Sequence, residues 1–320
     1  MINAVGAERK LKVMLDPQCA EFLSPSIDAP ELIDISIPSG RAGAYAAISL
    51  SGTVSNLVTI FNRYIPGPTA DILVRSYTPN TPGPHSAMVY FHGGGWAYFS
   101  VDFYDAQLSN LSEKADCVIF SVNYQKAPEH KFPIPHDDCY AGLQWVFENA
   151  SSLNIVKSQI GVGGDSAGGN LAAGVALRAR DESSLNMAFQ LLIYPCLGVN
   201  FETESYLNNA KGYGLSKRTM SWLWSLYLET EEDKANPYAV PLSAKNLRNL
   251  PPAIVITAEY DVLKDDGKRY AELLSEHKNS VVYEDFAGMI HGFFNYGTVI
   301  TQGVELQDWI AQRLREVVGN

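Results

Sequence analysis

The 320-residue sequence predicts an α/β fold, a mostly parallel central sheet with helices on both faces. Three observations lead there. Strand-like and helix-like segments alternate from about residue 70 to the C-terminus. The strand-like runs are apolar without polar alternation, as befits strands buried on both faces. Finally, Gly164-Asp165-Ser166-Ala167-Gly168 joins one apolar run directly to a helix-like run.

In chain order, residues 1–65 stand outside the alternation and contain helix-like stretches over 5–22 and 51–64 with Pro- and Ser-rich connections. Strands are expected over 71–77, 87–91, 117–122, 160–163, 189–194, 252–258 and 281–286. Residues 198–243 form a second irregular segment, rich in aromatics, in which Met220, Leu223, Trp224 and Tyr227 fall at helical spacing. That stripe suits either the core of the segment or one wall of a binding pocket. The expected organisation is a core of 66–197 and 244–320, with 1–65 and 198–243 as outlying helical parts. The length allows one large core with such an insertion.

The junction at Ser166 carries the chemistry. A G-x-S-x-G pattern between strand and helix is the nucleophile elbow of an α/β-hydrolase. The serine stands on a sharp turn with unfavourable backbone angles, so small neighbours are required. The helix that follows points its first N–H groups at the place where negative charge develops. Upstream, Met88-Val89-Tyr90-Phe91 runs into His92-Gly93-Gly94-Gly95-Trp96, the His-Gly-Gly-Gly signature of an oxyanion hole. Gly93, Gly94, Gly95 and the N–H of Ala167 are the expected donors around that oxyanion. Gly161-Val162-Gly163 begins like a dinucleotide fingerprint, but Ser166 stands where its third glycine belongs.

A serine nucleophile needs a base, and in this fold the chain order is serine, acid, histidine. Two histidines follow Ser166. His277 lies in an amphipathic helical stretch and reads as a surface residue, whereas His291 follows the 281–286 strand on a loop, where a base belongs. Asp261, just beyond the 252–258 strand, is the expected acid. Its competitors Asp265 and Asp266 read as N-terminal caps of the next helix.

With these residues in place the chain resembles the bacterial esterases related to mammalian hormone-sensitive lipase, the family IV lipolytic enzymes. The resemblance rests on His92 to Trp96, Asn123-Tyr124, Ala127-Pro128-Glu129-His130, Gly164 to Asn170, Tyr194-Pro195, Asp261-Val262-Leu263 and His291-Gly292-Phe293, in family order. It implies a triad of Ser166, Asp261 and His291, with 1–65 and 198–243 packed as a helical cap over the site. It also implies that the stretch containing Glu129 and His130 is a structural loop. Three positions depart from the family pattern: Val262 replaces a proline, Gln125 an arginine and Phe99 a glycine. Trp96, Tyr98, Phe99, Tyr213 and Trp224 are the expected pocket residues, and the bulky Tyr98-Phe99 pair is expected to narrow the pocket and favour short acyl chains.

The implied activity is hydrolysis of short- to medium-chain carboxylic esters without a cofactor or metal. A lipase for longer chains is the alternative within the class. A non-catalytic receptor is the alternative outside it, disfavoured because plant gibberellin receptors, which resemble this family, lack the histidine that His291 supplies here. Net charge is −11, from 24 basic and 35 acidic residues, with no basic run, which argues against nucleic acid or an anionic membrane as partner. No segment reads as a signal peptide or a membrane span. Cys19, Cys117, Cys139 and Cys196 lie far apart and read as free thiols of a cytoplasmic protein, for which a homodimer is plausible by resemblance.

Overall fold

The computed structural model describes residues 14–26, 29–183 and 185–319. Along the chain, α1 (Pro17–Leu23) and α2 (Ile37–Ala46) precede β1 (Val58–Ile65), β2 (Ile72–Pro79) and β3 (His85–Phe91). Then come α3 (Asp105–Ala115), β4 (Cys117–Asn123), α4 (Ile134–Glu148), β5 (Ile155–Asp165), α5 (Ala167–Asp181) and β6 (Gln190–Ile193). The segment after β6 carries α6 (Glu204–Asn208), α7 (Lys217–Tyr227) and α8 (Glu231–Ala235). The chain closes with β7 (Ala253–Tyr260), α9 (Lys264–Glu276), β8 (Val281–Ile290) and α10 (Gln302–Val318).

The strands form one sheet in the order β1-β2-β4-β3-β5-β6-β7-β8. The β1–β2 and β2–β4 pairs are antiparallel and the other five are parallel. All seven strands expected from the sequence are present. Every residue of β3 is buried, as are the first six of β4 and of β7. This two-sided burial erases polar alternation from the sequence. One core lies between the sheet and α4, α5 and α9; the other lies on the opposite face against α3 and α10.

The helix expected over 51–64 is absent. Residues 58–65 form β1 instead, paired along its whole length with β2 from Val58↔Pro79 to Ile65↔Ile72. So the sheet begins inside the segment assigned to the outlying 1–65 part. The strand is hard to read because it lies at the sheet edge: only its end residues Val58 and Ile65 are buried, while Phe61 and Tyr64 are 57% and 73% exposed. The 5–22 stretch falls partly outside the described residues; its end forms α1, opened by Asp16, whose carboxylate accepts the Gln18 N–H at 2.8 Å.

Because β3, β5, β7 and β8 run parallel, the loops after them emerge at one edge of the sheet. The carboxyl ends of parallel strands are where α/β folds place their ligands. His92, Ser166, Asp261 and His291 each follow immediately on one of these four strands.

Candidate active site

Ser166 lies between β5 and α5 with φ 56° and ψ −120°, a conformation that costs a non-glycine residue on the order of 1–3 kcal/mol. The turn is held by its neighbours: Ser166 N–H donates to the Ile193 carbonyl at 2.8 Å, and its carbonyl accepts from Asn170 N–H at 3.0 Å. The small residues are required by approach distances. A Cβ at position 168 would strike the Phe91 carbonyl oxygen, because the first turn of α5 presses against the end of β3.

His291 Nε2 lies 2.9 Å from Ser166 Oγ, and His291 Nδ1 lies 2.6 Å from Asp261 Oδ2. A carboxylate accepts, so Nδ1 carries the proton and Nε2 is free to accept from the serine hydroxyl. The other carboxylate oxygen, Asp261 Oδ1, accepts the Leu263 N–H at 2.9 Å and locks the side chain. Asp261 is 1% exposed, and the Tyr194 ring covers the imidazole at 4.7 Å between centroids. His277 ends α9, its Nδ1 2.9 Å from the Leu273 carbonyl, away from this constellation.

Asp265 and Asp266 do not cap their own helix. Asp265 accepts the Ser205 N–H at 2.8 Å, and Asp266 Oδ2 accepts both Leu197 and Gly198 N–H groups at 2.9 Å. The carboxylates tie down the segment after β6 instead.

The glycine run divides in two. Gly94 and Gly95, at φ 98° and 57°, line the cavity above Ser166, and among the described residues neither N–H donates within the protein. Ala167 opens α5, where an N–H has no partner within the helix. Gly93, expected as a third glycine donor, faces the other way. Its N–H is shared between Asp165 Oδ1 at 2.9 Å and the Tyr104 hydroxyl at 3.0 Å. Asp165 also accepts from the hydroxyls of Tyr90 and Tyr104, both at 2.9 Å, and from Asn295 Nδ2 at 3.3 Å. Burial raises the Asp165 carboxyl above its ordinary value, and these four donors oppose the rise. The sequence marks this network only weakly. Its one signal was an acid ending an apolar strand, where a buried carboxylate needs partners.

A cavity of about 230 Å³ opens over the serine. Its floor is Gly94, Gly95, Ser166 and His291, and its roof comes from Phe22, Glu31, Leu215, Met220 and Leu223. Tyr98 and Phe99 line it as expected from the sequence, whereas Trp96, Tyr213 and Trp224 do not. Trp96 is fully buried, stacked on Tyr227 at 4.4 Å and donating to Asn170 Oδ1 at 3.3 Å. Trp224 packs against the same indole at 4.5 Å, and Tyr213 lies 5.0 Å from the Tyr260 ring. The stripe on α7 therefore serves both purposes: Met220 and Leu223 face the cavity, Trp224 and Tyr227 the core.

The family described as having the alpha/beta hydrolase fold matches residues 88–295. The carboxylic ester hydrolase LipN of Mycobacterium tuberculosis is 34% identical over 291 residues, covering 88% of this chain and 77% of its own. An arylesterase of Saccharolobus solfataricus is 37% identical over 70% of this chain and 73% of its own. Among solved structures, an ester hydrolase from the metagenome of Lake Arreo superposes with a TM-score of 0.91 at 33% identity, covering 96% of this chain and 100% of that one. The chain belongs to the hormone-sensitive-lipase-like esterases of the α/β-hydrolase superfamily. It is a carboxylic-ester hydrolase by this membership.

Two departures of this esterase from its family pattern are accommodated locally. Gln125 donates from its backbone at 2.8 Å and from Nε2 at 3.2 Å to the Asp138 carboxylate, which gives its side chain a buried partner. Val262 is fully buried in the core beside Asp261. In the loop with Glu129, both carboxylate oxygens take the Arg41 guanidinium at 2.7–2.8 Å, and the same guanidinium donates to the Ala97 and Ala127 carbonyls. Among the described residues no group of three or more His, Cys, Asp or Glu side chains is arranged to hold a metal ion.

Proposed function

We propose that Ser166, His291 and Asp261 are the nucleophile, base and orienting acid of a serine carboxylesterase for short- to medium-chain acyl esters. The unbroken hydrogen-bonded line from Asp261 through His291 to Ser166 carries the reading. His291 Nε2 takes the hydroxyl proton as Oγ attacks the ester carbonyl carbon. The negative oxygen that forms faces the free N–H groups of Gly94 and Gly95 and that of Ala167. The tetrahedral species collapses, the C–O bond to the alcohol breaks, and the imidazolium hands the alcohol its proton. Water then attacks the acyl-serine with His291 again as base, and the acid is released. The modest cavity, narrowed by Tyr98 and Phe99, supports the chain-length preference.

In the same reading, residues of the 1–65 segment ahead of β1, together with 198–243, form a cap over the site. The Glu31 carboxylate, accepting from the Ser216 and Thr219 hydroxyls, and the Asp34–Arg218 pair join its two parts. The four buried, unpaired cysteines suit a reducing cytoplasm. No described helix is long and apolar enough to cross a membrane. A homodimer is part of the proposal and is checked by sedimentation. The principal test is hydrolysis of p-nitrophenyl esters from C2 to C12 by the wild type and by Ser166→Ala. We expect a maximum at short chains and a loss of up to about 10⁶ in kcat for the variant. Comparable turnover by a folded Ser166→Ala protein would refute the assignment.

A further inference from the structure

Phe99 occupies two places at once. It lines the catalytic cavity with Gly94 and Ser166, and it also lines a separate outer groove of about 570 Å³ whose walls mix Tyr45, Tyr64 and Leu73 with the charged Arg41, Asp71 and Lys126. Among the described residues no other is common to both. We propose that the Phe99 ring is the partition between them and sets the acyl-length limit of the enzyme, an inference that rests on the esterase reading above.

The ring is held rigidly. It stacks on Phe103 at 4.0 Å and 12° between planes, and meets Tyr104 edge-on at 6.2 Å. Phe103 and Tyr104 are themselves 2% and 0% exposed, so the support does not yield. On the cavity side the ring rests on Gly94, where an added Cβ would come within 2.7 Å of Phe99 Cδ2. The backbone at Phe99 is left-handed, φ 59°, a conformation that phenylalanine adopts only under constraint. This aims the ring inward, between the two spaces.

The acyl chain is the part of the substrate that meets the partition. Its carbonyl oxygen must face Gly94 and Gly95, and the ring lies against Gly94. The alcohol leaves beside His291 Nε2, which protonates it, on a different loop. Past the ring, a longer chain would reach the apolar part of the outer groove's mixed wall, Tyr45, Tyr64 and Leu73, which suits alkyl carbon better than water does. Truncating the ring joins the two spaces.

The test compares kcat/KM on p-nitrophenyl esters from C2 to C12 for the wild type, Phe99→Ala, Phe99→Gly and Phe99→Trp. In both truncations the C8-to-C4 ratio should rise about tenfold or more, while Phe99→Trp should leave it at or below the wild-type value. Alanine and glycine differ in a useful way, since only glycine also relieves the left-handed backbone. A rise confined to Phe99→Gly would assign the effect to loop relaxation and overturn the partition, as would an unchanged ratio in both. Alkyl fluorophosphonates of increasing length, followed by mass spectrometry of Ser166, give a second readout that needs no turnover. The wild-type labelling rate should fall with chain length, and Phe99→Ala should flatten that fall. A shift seen only when the alcohol is lengthened on a fixed butyryl group would overturn the acyl assignment. Failure of wild type to hydrolyse any ester, with Ser166 unlabelled, would bring down the esterase reading itself. A normal ester profile indifferent to Phe99 brings down the partition alone.

Discussion

The floor of the cavity is carried by loops that leave parallel strands at one sheet edge, whereas its roof comes from two segments far apart in sequence that meet through side chains. On the floor, the register of the sheet brings Ser166 Oγ within 2.9 Å of His291, although 125 residues separate them. Under the roof, the joining contacts are two hydroxyl bonds to Glu31 and an exposed Asp34–Arg218 pair, with side chains 38% and 56% exposed. Exposed ion pairs contribute little. Precision is thus concentrated where the sheet enforces it, and adjustability where only side chains meet. Substitutions on the floor should act on turnover, and those at the junction of floor and roof on stability.

The sharpest way to break this contrast is Asp261→Asn. The amide can still accept from Leu263 N–H but can turn its NH2 toward His291 Nδ1, favouring the tautomer whose Nε2 cannot take the serine proton. We expect kcat to fall by about 10⁴, with KM and melting temperature changing far less. A drop of only a few fold would mean that Asp261 orients nothing, and the floor would lose its claim to precision.

Asp165→Asn asks whether the floor's precision extends behind the reacting atoms. Asp165 accepts at both oxygens, and an amide can replace only one of them. Turning its nitrogen toward Asn295 sets two donors face to face, and Asn295 cannot flip freely because its Oδ1 accepts Gln107 Nε2 at 3.1 Å. The unmet group costs about 1–3 kcal/mol of stability. Because Gly93 N–H is anchored on the same carboxylate, the adjoining Gly94 and Gly95 should shift, and kcat should drop by about 10² at a temperature where the variant is fully folded. Unchanged kcat with a lowered melting temperature would make Asp165 a packing group alone.

The same contrast explains what the sequence makes legible. The elbow, the glycine loop, His291 and Asp261 can be read because backbone geometry admits few residue types there: small residues around a strained serine, glycine at positive φ, an acid and a base just beyond strand ends. The strands β3, β4, β6 and β7 can be read because two-sided burial leaves unbroken apolar runs. Nothing comparable constrains β1, an edge strand whose exposed aromatics carry no alternation, or the roof, where any apolar side chain of suitable size can line the cavity. Hence nothing in the sequence marks Phe22 and Leu215 as lining residues, Met220 and Leu223 are legible only as part of a stripe that suits core or pocket wall alike, and the larger Trp96, Tyr213 and Trp224, expected in the pocket, pack elsewhere. The different role of Gly93 is hidden for a related reason. A glycine triplet shows that N–H groups are available, but only the position of Asp165 shows which one is already taken.

The smallest effect on turnover is expected at the point where floor passes into roof. Asp266, at the start of α9, holds the N–H groups of Leu197 and Gly198 through one oxygen, at the place where the chain leaves β6 for the roof. Burial, with the nearby carboxylates of Asp261 and Asp265 adding to it, pushes this carboxyl up to about 7 from its usual 3.8, against the pull of the two N–H donors. The folded state therefore holds a proton that the unfolded chain has already released. Below about pH 4 both states are protonated and the contribution is complete; as pH rises toward 7 it is lost, and above 7 the loss is constant. Asp266→Asn keeps an acceptor for both N–H groups and removes the titration. Urea unfolding of the two proteins between pH 4.5 and 8 should show the variant gaining on the wild type steadily up to about pH 7, with the difference level beyond it. A difference independent of pH would show that Asp266 is ionised throughout and that its two hydrogen bonds outweigh its burial. In that case the junction would be as firmly built as the floor, and the division drawn between the two regions would have to move outward, to the exposed contacts of Asp34 and Arg218.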